Sequence, residues 1–387
     1  MREAMRIFSL CFRRCLSGFL VAFFWAVLGC AHTQTSVASD TEFQSWIHSF
    51  RAEALQQGVR ADIYDQAFLD VKTPDGLALE KAHYQPEFRT EAWEYMDNRV
   101  QERAIQTGRA MQKQYAKTLQ SIERSTGVDS TVLLAIWSME SAYGAALKKP
   151  DELHYIPQAL ATLAYADQPR AKYARTQLIA ALKILQRGDV AQNDLRGSWA
   201  GAMGHTQFIP TSYLTYAVDA DGDGKSDIWH SVPDALATAA QLLKKNGWRS
   251  GERWGYEVLN VNAAQNGKWL ALQGDQGPVF AVQKNFSVIK RYNNADKYAL
   301  AVLLLADRIA GKPALQRDWV RPYTPLTMSE KEALQRLLVQ KGFYSGVIDG
   351  LIGDESRKAI IRFQSSRGLA QTGYPSKDML LALQRAH

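Results

Sequence analysis

One nearly continuous apolar run in the body of the chain, Val132–Met139, predicts a buried helix. Glu140 closes this run, and on a helix it shares a face with Leu133, Ile136 and Trp137. An ionised carboxylate in that position costs several kcal/mol unless it is paired or protonated. Two interpretations stay open on position alone. Glu140 is either a carboxyl group that holds its proton for general acid catalysis, or a structural glutamate that pairs with an arginine or caps a turn.

Helical periodicity also dominates the rest of the first 320 residues, and Asp129 is predicted to cap the Glu140 helix. Residues 252–290 carry short β-branched and aromatic pieces between Gly and Asn turns, which is typical of strands. The Gly-rich stretch Gly197–Pro210 predicts a loop. We therefore expect a mainly α protein with a small β-containing part. Further helices are predicted within 41–124 and over 170–186, 233–245 and 298–309.

A second unit, residues 328–387, follows the segment 321–327, whose two prolines predict a linker. The pattern in this unit predicts three short helices. The first is expected to open with a capping box formed by Ser329 and Glu332. About 60 residues are marginal for an independent core, so we expect compact packing.

The N-terminus reads as a targeting segment. Arginines precede the apolar run Gly18–Gly29, which is too short to span a bilayer comfortably and is typical of a secretory signal. Val27-Leu28-Gly29-Cys30 resembles the lipobox of bacterial lipoproteins, in which the cysteine is lipidated. We expect a lipoprotein signal peptide over 1–29 and a tether over 30–41, with an ordinary signal peptide as the alternative. Ala31 in place of an aspartate favours the outer membrane, facing the periplasm.

Charge and cysteine content narrow the function classes. The chain carries a net charge of +7, of which residues 1–29 contribute four arginines and one glutamate, so +4 remains after their removal. This mild excess of positive charge suits binding to an acidic polymer or an anionic membrane surface. The sequence has no basic stripe with interleaved aromatics, so we do not expect nucleic-acid binding. All three cysteines fall within residues 11–30, which excludes disulfides from the body of the protein.

The C-terminal unit resembles the three-helix peptidoglycan-binding domain found on cell-wall hydrolases. The similarity rests on the Gly and Asp pattern of 342–353, on Ala359-x-x-x-Phe363-Gln364 and on Gly368-Leu369. The last motif departs from the family, because Gly373 is followed by Tyr-Pro-Ser-Lys-Asp without the usual second Gly and Thr. A generic helical bundle is the alternative.

With a wall-binding unit attached, the segment Glu140-Ser-Ala-Tyr-Gly144 resembles the catalytic motif of the membrane-bound lytic murein transglycosylase B family, whose fold is related to that of lysozymes. Three further segments, 198–210, 219–234 and 291–298, resemble its active-site loop, metal loop and late substrate-binding segment. The resemblance implies a lysozyme-like catalytic domain over 42–320.

The resemblance also implies the chemistry. Glu140 would protonate the glycosidic oxygen of a MurNAc-GlcNAc β-1,4 bond, and would then take the proton of the MurNAc C6 hydroxyl as that hydroxyl closes a 1,6-anhydro ring. Ordinary glycosidases need a second carboxylate, whereas this mechanism uses one and no catalytic cofactor. The implied substrate-binding residues are Ser198, Gln207, Phe208, Tyr292, Asn293, Tyr298 and Arg170. The alternatives are that Gln207 only satisfies loop backbone, that Arg170 is a solvated helix residue, and that the tyrosines fill space in the core or on the surface.

The segment Asp219–Asp227 resembles the start of an EF-hand loop, with oxygens at positions 1, 3 and 5 and Gly at position 6. His230 stands at position 12, where a bidentate Glu is usual, and Asp234 matches the family's longer loop. A metal-free Asp/Gly turn is the alternative to structural Ca²⁺. The implied ligands are Asp219, Asp221, Asp223, the backbone carbonyl of Lys225, and Asp234.

The leading hypothesis is therefore a lipid-anchored lytic transglycosylase. Its expected partners are peptidoglycan glycan strands, outer-membrane lipid and proteins of cell-wall synthesis. The competing hypotheses are a lysozyme-type muramidase that uses water, and a non-catalytic scaffold that binds the wall.

Overall fold

The computed structural model describes residues 40–82, 90–149, 152–259, 268–350 and 352–386. The predicted signal peptide, Cys30 and residues 30–39 of the tether lie outside the described residues. The first helix begins at Asp40, so the last two residues assigned to the tether are helical. In this part of the chain no helix is both long enough and apolar enough to cross a bilayer.

The described residues are mainly helical, as predicted. In the larger part, the helices are α1 Asp40–Gln56, α2 Ala61–Phe68, α3 Gly76–Ala82, α4 Ala92–Arg99, α5 Glu102–Gln114, α6 Ala116–Thr126, α7 Ser130–Ser141, α8 Ile156–Ala166, α9 Ala171–Arg187, α10 Pro210–Tyr216, α11 Val232–Lys245, α12 Lys284–Tyr292 and α13 Asp296–Ile309. The C-terminal helices are α14 Met328–Gln340, α15 Asp354–Ser366 and α16 Lys377–Arg385.

Two small antiparallel sheets accompany the helices, which confirms the predicted β-containing part. β1 (His154–Tyr155) pairs with β2 (Arg196–Gly197), immediately before the Gly-rich loop. In the second sheet the strand order is β3-β6-β4, and β5 follows β4 along the chain. Its three strands are β3 Gly255–Glu257, β6 Phe280–Val282 and β4 Lys268–Leu270, and the further strand β5 spans Leu272–Asp275.

Helix α7 lies at the centre of the larger hydrophobic core. Leu133 to Ile136 have no exposed surface, and α7 packs against α13, α5, α11 and α6. Asp129 occupies the predicted N-cap position, but its side chain makes no capping hydrogen bond. The Ser130 amide instead donates to a carboxylate oxygen of Glu123 at 3.2 Å. Burial, reinforced by the charge of Glu123, raises the pKa of Asp129.

The C-terminal helices enclose a small core of their own, around Leu334, Leu338 and Phe363. Helix α14 has a capping box, but at Thr327 and Glu330 rather than at Ser329 and Glu332. The helix begins two residues earlier than the predicted box requires. The predicted register is therefore wrong, although the motif itself is present.

The segment 321–327 is held between the two parts of the molecule. The Tyr323 ring packs on Trp93 of α4 and on Tyr374, with ring centroids 5.1 and 4.8 Å apart. Nearby, the ammonium group of Lys331 in α14 lies 2.9 Å from the mostly buried carboxylate of Glu94 in α4. These contacts fix the C-terminal helices against α4.

Candidate active site

Glu140 lies in the last turn of α7 and is half-buried. The hydroxyl of Tyr298 donates to its Oε1 at 2.5 Å. Tyr298 belongs to the first turns of α13, is 5 % exposed and is presented to Glu140 because α13 packs along α7. After Glu140 the chain leaves the helix through Ala142 and Tyr143, which both have positive φ (49° and 58°). The carboxyl group is therefore fixed at a sharp helix end.

A second tyrosine supports the first. The rings of Tyr292 and Tyr298 are stacked, with centroids 6.4 Å apart and planes 9° from parallel. The Tyr292 hydroxyl donates to the backbone oxygen of Thr206 in the Gly-rich loop. The buried ring of Phe208 meets Tyr292 edge-on at 5.6 Å. Burial, and then the charge of Glu140, hold the pKa of both phenols well above their usual range, so both act as donors.

The Gly-rich loop closes on itself through backbone pairing. Met203 bridges to both Gly197 and Phe208, and the Ser198 hydroxyl accepts the Ala202 amide at 2.9 Å. Gly204 has a φ of +69°, and a Cβ there would lie 2.4 Å from the Ile228 carbonyl oxygen. Only glycine allows this close approach. These contacts therefore restrain the backbone conformation of the loop beside Glu140.

The structure places Gln207 within the loop. Its Nε2 donates to the Gly204 carbonyl oxygen at 2.9 Å, and its φ is 48°. This is the contact expected from the alternative interpretation, in which Gln207 satisfies loop backbone.

Asn293 and Arg170 have different surroundings from the tyrosines of the cluster. Asn293 is exposed at the C-cap of α12. Arg170 pairs with the buried Asp167 at 2.6 Å, and its guanidinium lies over the ring of Trp199 at 5.8 Å. Arg170 is therefore a paired residue at the edge of the loop, whereas Tyr298, Tyr292 and Phe208 are brought together next to Glu140.

Sequence reasoning missed His205. Its Nδ1 accepts the indole N–H of Trp137 at 3.0 Å, and its backbone oxygen accepts the Ser141 hydroxyl at 2.6 Å. Burial lowers the pKa of His205 from 6.5 to about 4. The imidazole is thus neutral near pH 7. The available signal was one ionisable residue inside an otherwise small and apolar loop.

The acidic loop is a separate feature. The side chains of Asp219, Asp221 and Asp223 are exposed, and a set of their oxygens lies within 4.8 Å of one another. These are the EF-hand positions 1, 3 and 5, so the donor set fits a Ca²⁺ ion. The Lys225 amide donates to an oxygen of Asp223 at 2.8 Å, which holds the turn. The three carboxylates would repel one another without an added cation.

Asp234 has a different environment from these three carboxylates. It has no exposed surface, and its two oxygens accept the amides of Ala220 and Asp227 at 2.7 and 2.8 Å. Burial raises the pKa of Asp234. The side chain therefore ties the two ends of the acidic loop together. His230, at loop position 12, contacts a carboxylate oxygen of Asp227 at 2.9 Å.

Comparison with known proteins gives two family matches. The transglycosylase SLT domain matches residues 42–269 and 259–307. The putative peptidoglycan binding domain matches residues 327–383. A curated relative, membrane-bound lytic murein transglycosylase B of Escherichia coli (strain K12), is 30% identical over 235 residues. That alignment covers 53% of this chain and 64% of the relative, which is less than two thirds of its length.

Solved structures are similar over a longer span. The crystal structure of SltB3 from Pseudomonas aeruginosa in complex with NAG-anhNAM-pentapeptide is 39% identical, with a TM-score of 0.68. The match covers 88% of this chain and 99% of that one. Escherichia coli lytic transglycosylase Slt35 in complex with calcium is 24% identical with a TM-score of 0.58, over 71% and 94% of the two chains. This second similarity concerns the fold alone.

Proposed function

The chain belongs to the transglycosylase SLT family, and on this premise we propose that it cleaves the MurNAc-GlcNAc β-1,4 bond of peptidoglycan without water, leaving 1,6-anhydro-MurNAc ends. The observation that carries the proposal is the environment of Glu140. One carboxyl group is held by the neutral phenol of Tyr298, and Tyr292 stacks behind that phenol. Because both phenols keep their protons, Glu140 is the group in this cluster that can give and take one.

The proposed reaction is balanced without a second carboxylate. Protonated Glu140 donates to the glycosidic oxygen as the C1–O bond breaks, and the GlcNAc hydroxyl leaves. The C6 hydroxyl of the same MurNAc then forms a bond to C1. Glu140 takes the proton released by that hydroxyl and returns to its starting state. The rigid loop and the fixed helix end favour this role, because general acid catalysis requires an acid that is already positioned.

The remaining site residues are proposed as substrate contacts. Ser198 and Asn293 would contact the sugar, with the N-acetyl group near Ser198. Phe208 would support the floor of the substrate site, because its ring packs against Tyr292. Gln207 would hold Glu140 once its amide leaves the Gly204 carbonyl. Arg170 would meet a stem peptide or a further sugar. No catalytic cofactor is needed for these steps.

The acidic loop is proposed as a structural Ca²⁺ site. Asp219, Asp221 and Asp223 would hold the ion, with the Lys225 carbonyl oxygen as a further ligand. Asp234 would complete the set only by releasing one of its two amide partners. The EF-hand spacing of these oxygens supports calcium as the metal.

The proposed location is the periplasmic face of the outer membrane. Cys30 would carry the lipid, and residues 328–387 would bind peptidoglycan, as their family match suggests. Proteins of cell-wall synthesis are proposed as further partners.

Mass spectrometry of digested sacculi tests the reaction. We expect 1,6-anhydro-MurNAc ends, which are one water lighter than the reducing ends left by a muramidase. Finding only reducing-end MurNAc would assign the protein to hydrolysis. Glu140→Gln is the control, and it should release neither product while still binding sacculi. If wild-type protein bound sacculi and released nothing, the scaffold hypothesis would replace this one.

A further inference from the structure

We propose that His205 is a positioning residue for the reaction, because it holds the Glu140 end of α7 against the Gly-rich loop. The inference rests on the proposed function, since His205 would act through Glu140 and not on the substrate. It is carried by three contacts of His205, with Trp137, Ser141 and Ile228, and by one contact of the next residue, Thr206.

The first contact fixes the helix through a side chain. Trp137 lies three residues before Glu140 in α7, and its indole N–H donates to Nδ1 of His205 at 3.0 Å. The two rings meet nearly edge-on, with centroids 5.5 Å apart and planes at 76°. Tyr143, just past Glu140, also packs edge-on against Trp137. The ring of Trp137 is therefore restrained on the side of the loop and on the side of the turn.

The second contact fixes the backbone beside Glu140. The Ser141 hydroxyl donates to the His205 carbonyl oxygen at 2.6 Å and accepts the Gly144 amide at 3.1 Å. Gly144 has a φ of +83°, and a Cβ there would lie 2.5 Å from Cε1 of His205. The imidazole thus occupies the space beside Gly144. Positions before and after Glu140 are both anchored to one loop residue.

The other two contacts belong to the loop side. The His205 amide donates to the Ile228 carbonyl oxygen at 2.9 Å, which ties the loop to the end of the acidic segment. The next residue, Thr206, accepts the Tyr292 hydroxyl. Tyr292 stacks on Tyr298, which donates to Glu140. The contacts form a closed circuit that begins and ends at Glu140.

The circuit requires one form of the imidazole. Nδ1 accepts a hydrogen bond from the indole N–H of Trp137, so the ring must be neutral with its own proton on Nε2. Burial lowers the pKa of His205 to about 4, so this neutral form dominates from neutral pH down to about pH 4. In a doubly protonated ring, the Nδ1–H group would face the indole N–H of Trp137, and two donors cannot form a hydrogen bond.

A matched pair of variants tests the proposal. His205→Asn keeps an acceptor near the position of Nδ1, whereas His205→Leu fills a similar volume without one. Since a small misplacement of a reacting group can cost on the order of 100-fold, we expect kcat of the Leu variant to fall about 10- to 100-fold. KM should change less than about 3-fold, and the Asn variant should recover most of kcat. Trp137→Phe should lose as much as the Leu variant, and the double variant no more than either single one.

Three outcomes would overturn the proposal: an unchanged kcat in a folded Leu variant, an Asn variant as impaired as Leu, or a loss confined to KM. If the Leu variant does not fold, ¹⁵N NMR of wild-type protein decides, since a protonated Nδ1 on His205 contradicts the geometry. The product mass of the wild type is read in the same assay. A hydrated product would refute the proposed bond chemistry and leave the comparison of Asn with Leu valid for His205.

Discussion

The surroundings of Glu140 and the acidic loop 219–227 place carboxylates in opposite environments. Glu140 is one half-buried group, held by a phenol on a packed helix. Asp219, Asp221 and Asp223 are exposed, crowded within 4.8 Å and braced by backbone amides. Apolar surroundings with neutral donors favour a group that exchanges one proton, whereas crowded exposed oxygens favour a bound cation. The roles proposed for these carboxylates therefore differ because their neighbours differ.

The largest effect is expected from Glu140→Gln, which should remove cleavage and leave thermal stability unchanged. A positioned general acid contributes about 10²- to 10⁴-fold, so cleavage of sacculi should fall by on the order of 1,000-fold. Thermal stability should stay close to wild type, because the amide can still accept from Tyr298. Release of soluble muropeptides measures the first and a melting curve the second. Glu252→Gln, at an exposed glutamate outside the C-terminal unit, is the matched control and should cleave normally. If the Glu140→Gln variant still cleaved sacculi, Glu140 would not be the acid, and its contrast with the acidic loop would be lost.

Tyr298→Phe is expected to have the next largest effect. The ring stack with Tyr292 is kept, but Glu140 loses a donor, and a hydrogen bond to a charged group is worth about 1.5–3 kcal/mol. We expect kcat to fall about 10- to 100-fold, which is that energy expressed as a rate. Tyr292→Phe should lose less, because its hydroxyl bonds a backbone oxygen and not Glu140. Equal losses in steady-state kinetics would mean that the Tyr298 contact has no special role.

Calcium should act on stability through the acidic loop. An ion that binds only the folded state at 100 times its Kd stabilises by about 2.7 kcal/mol. Wild-type protein should therefore melt several degrees higher with calcium than with a chelator. Asp221→Asn should lose most of that difference, because one of three crowded carboxylates is neutralised. Identical melting curves for the wild type with calcium and with a chelator would favour a metal-free turn.

The smallest effect is expected from pH, at the residue where the two regions meet. Burial lowers the pKa of His205 to about 4, against an opposing effect of the Asp227 charge and a reinforcing one from His230. As the pH falls, His205 therefore takes up a proton near pH 6.5 in the unfolded chain, but only near pH 4 in the folded protein. Stability from this group is fully present above pH 6.5 and is lost as the pH falls toward 4. Urea midpoints across this range should fall less in His205→Asn than in the wild type.

Some predictions failed because a local pattern allows more than one register. Thr327-x-x-Glu330 and Ser329-x-x-Glu332 both fit a capping box, and the packing of α14 selects the first. Asp129 has the residue type of a cap and the position of one, but its side chain makes no capping hydrogen bond. Sequence propensity identifies the start of a helix to within a few residues. Tertiary contacts decide which side chains accept hydrogen bonds from its first backbone amides.

The sequence by itself determined the features that depend on neighbours along the chain. Among these are the apolar helix that ends at Glu140, the spacing of the acidic loop and the mainly α class, because periodicity and turn residues act locally. Only the tertiary structure decided that Tyr298 meets Glu140 across 158 residues and that Trp137 meets His205 across 68. The packing of α13 and the Gly-rich loop on α7 sets those contacts. The carboxyl group of Glu140 is thereby held by residues that no local pattern connects to it, as its proposed role as an acid requires.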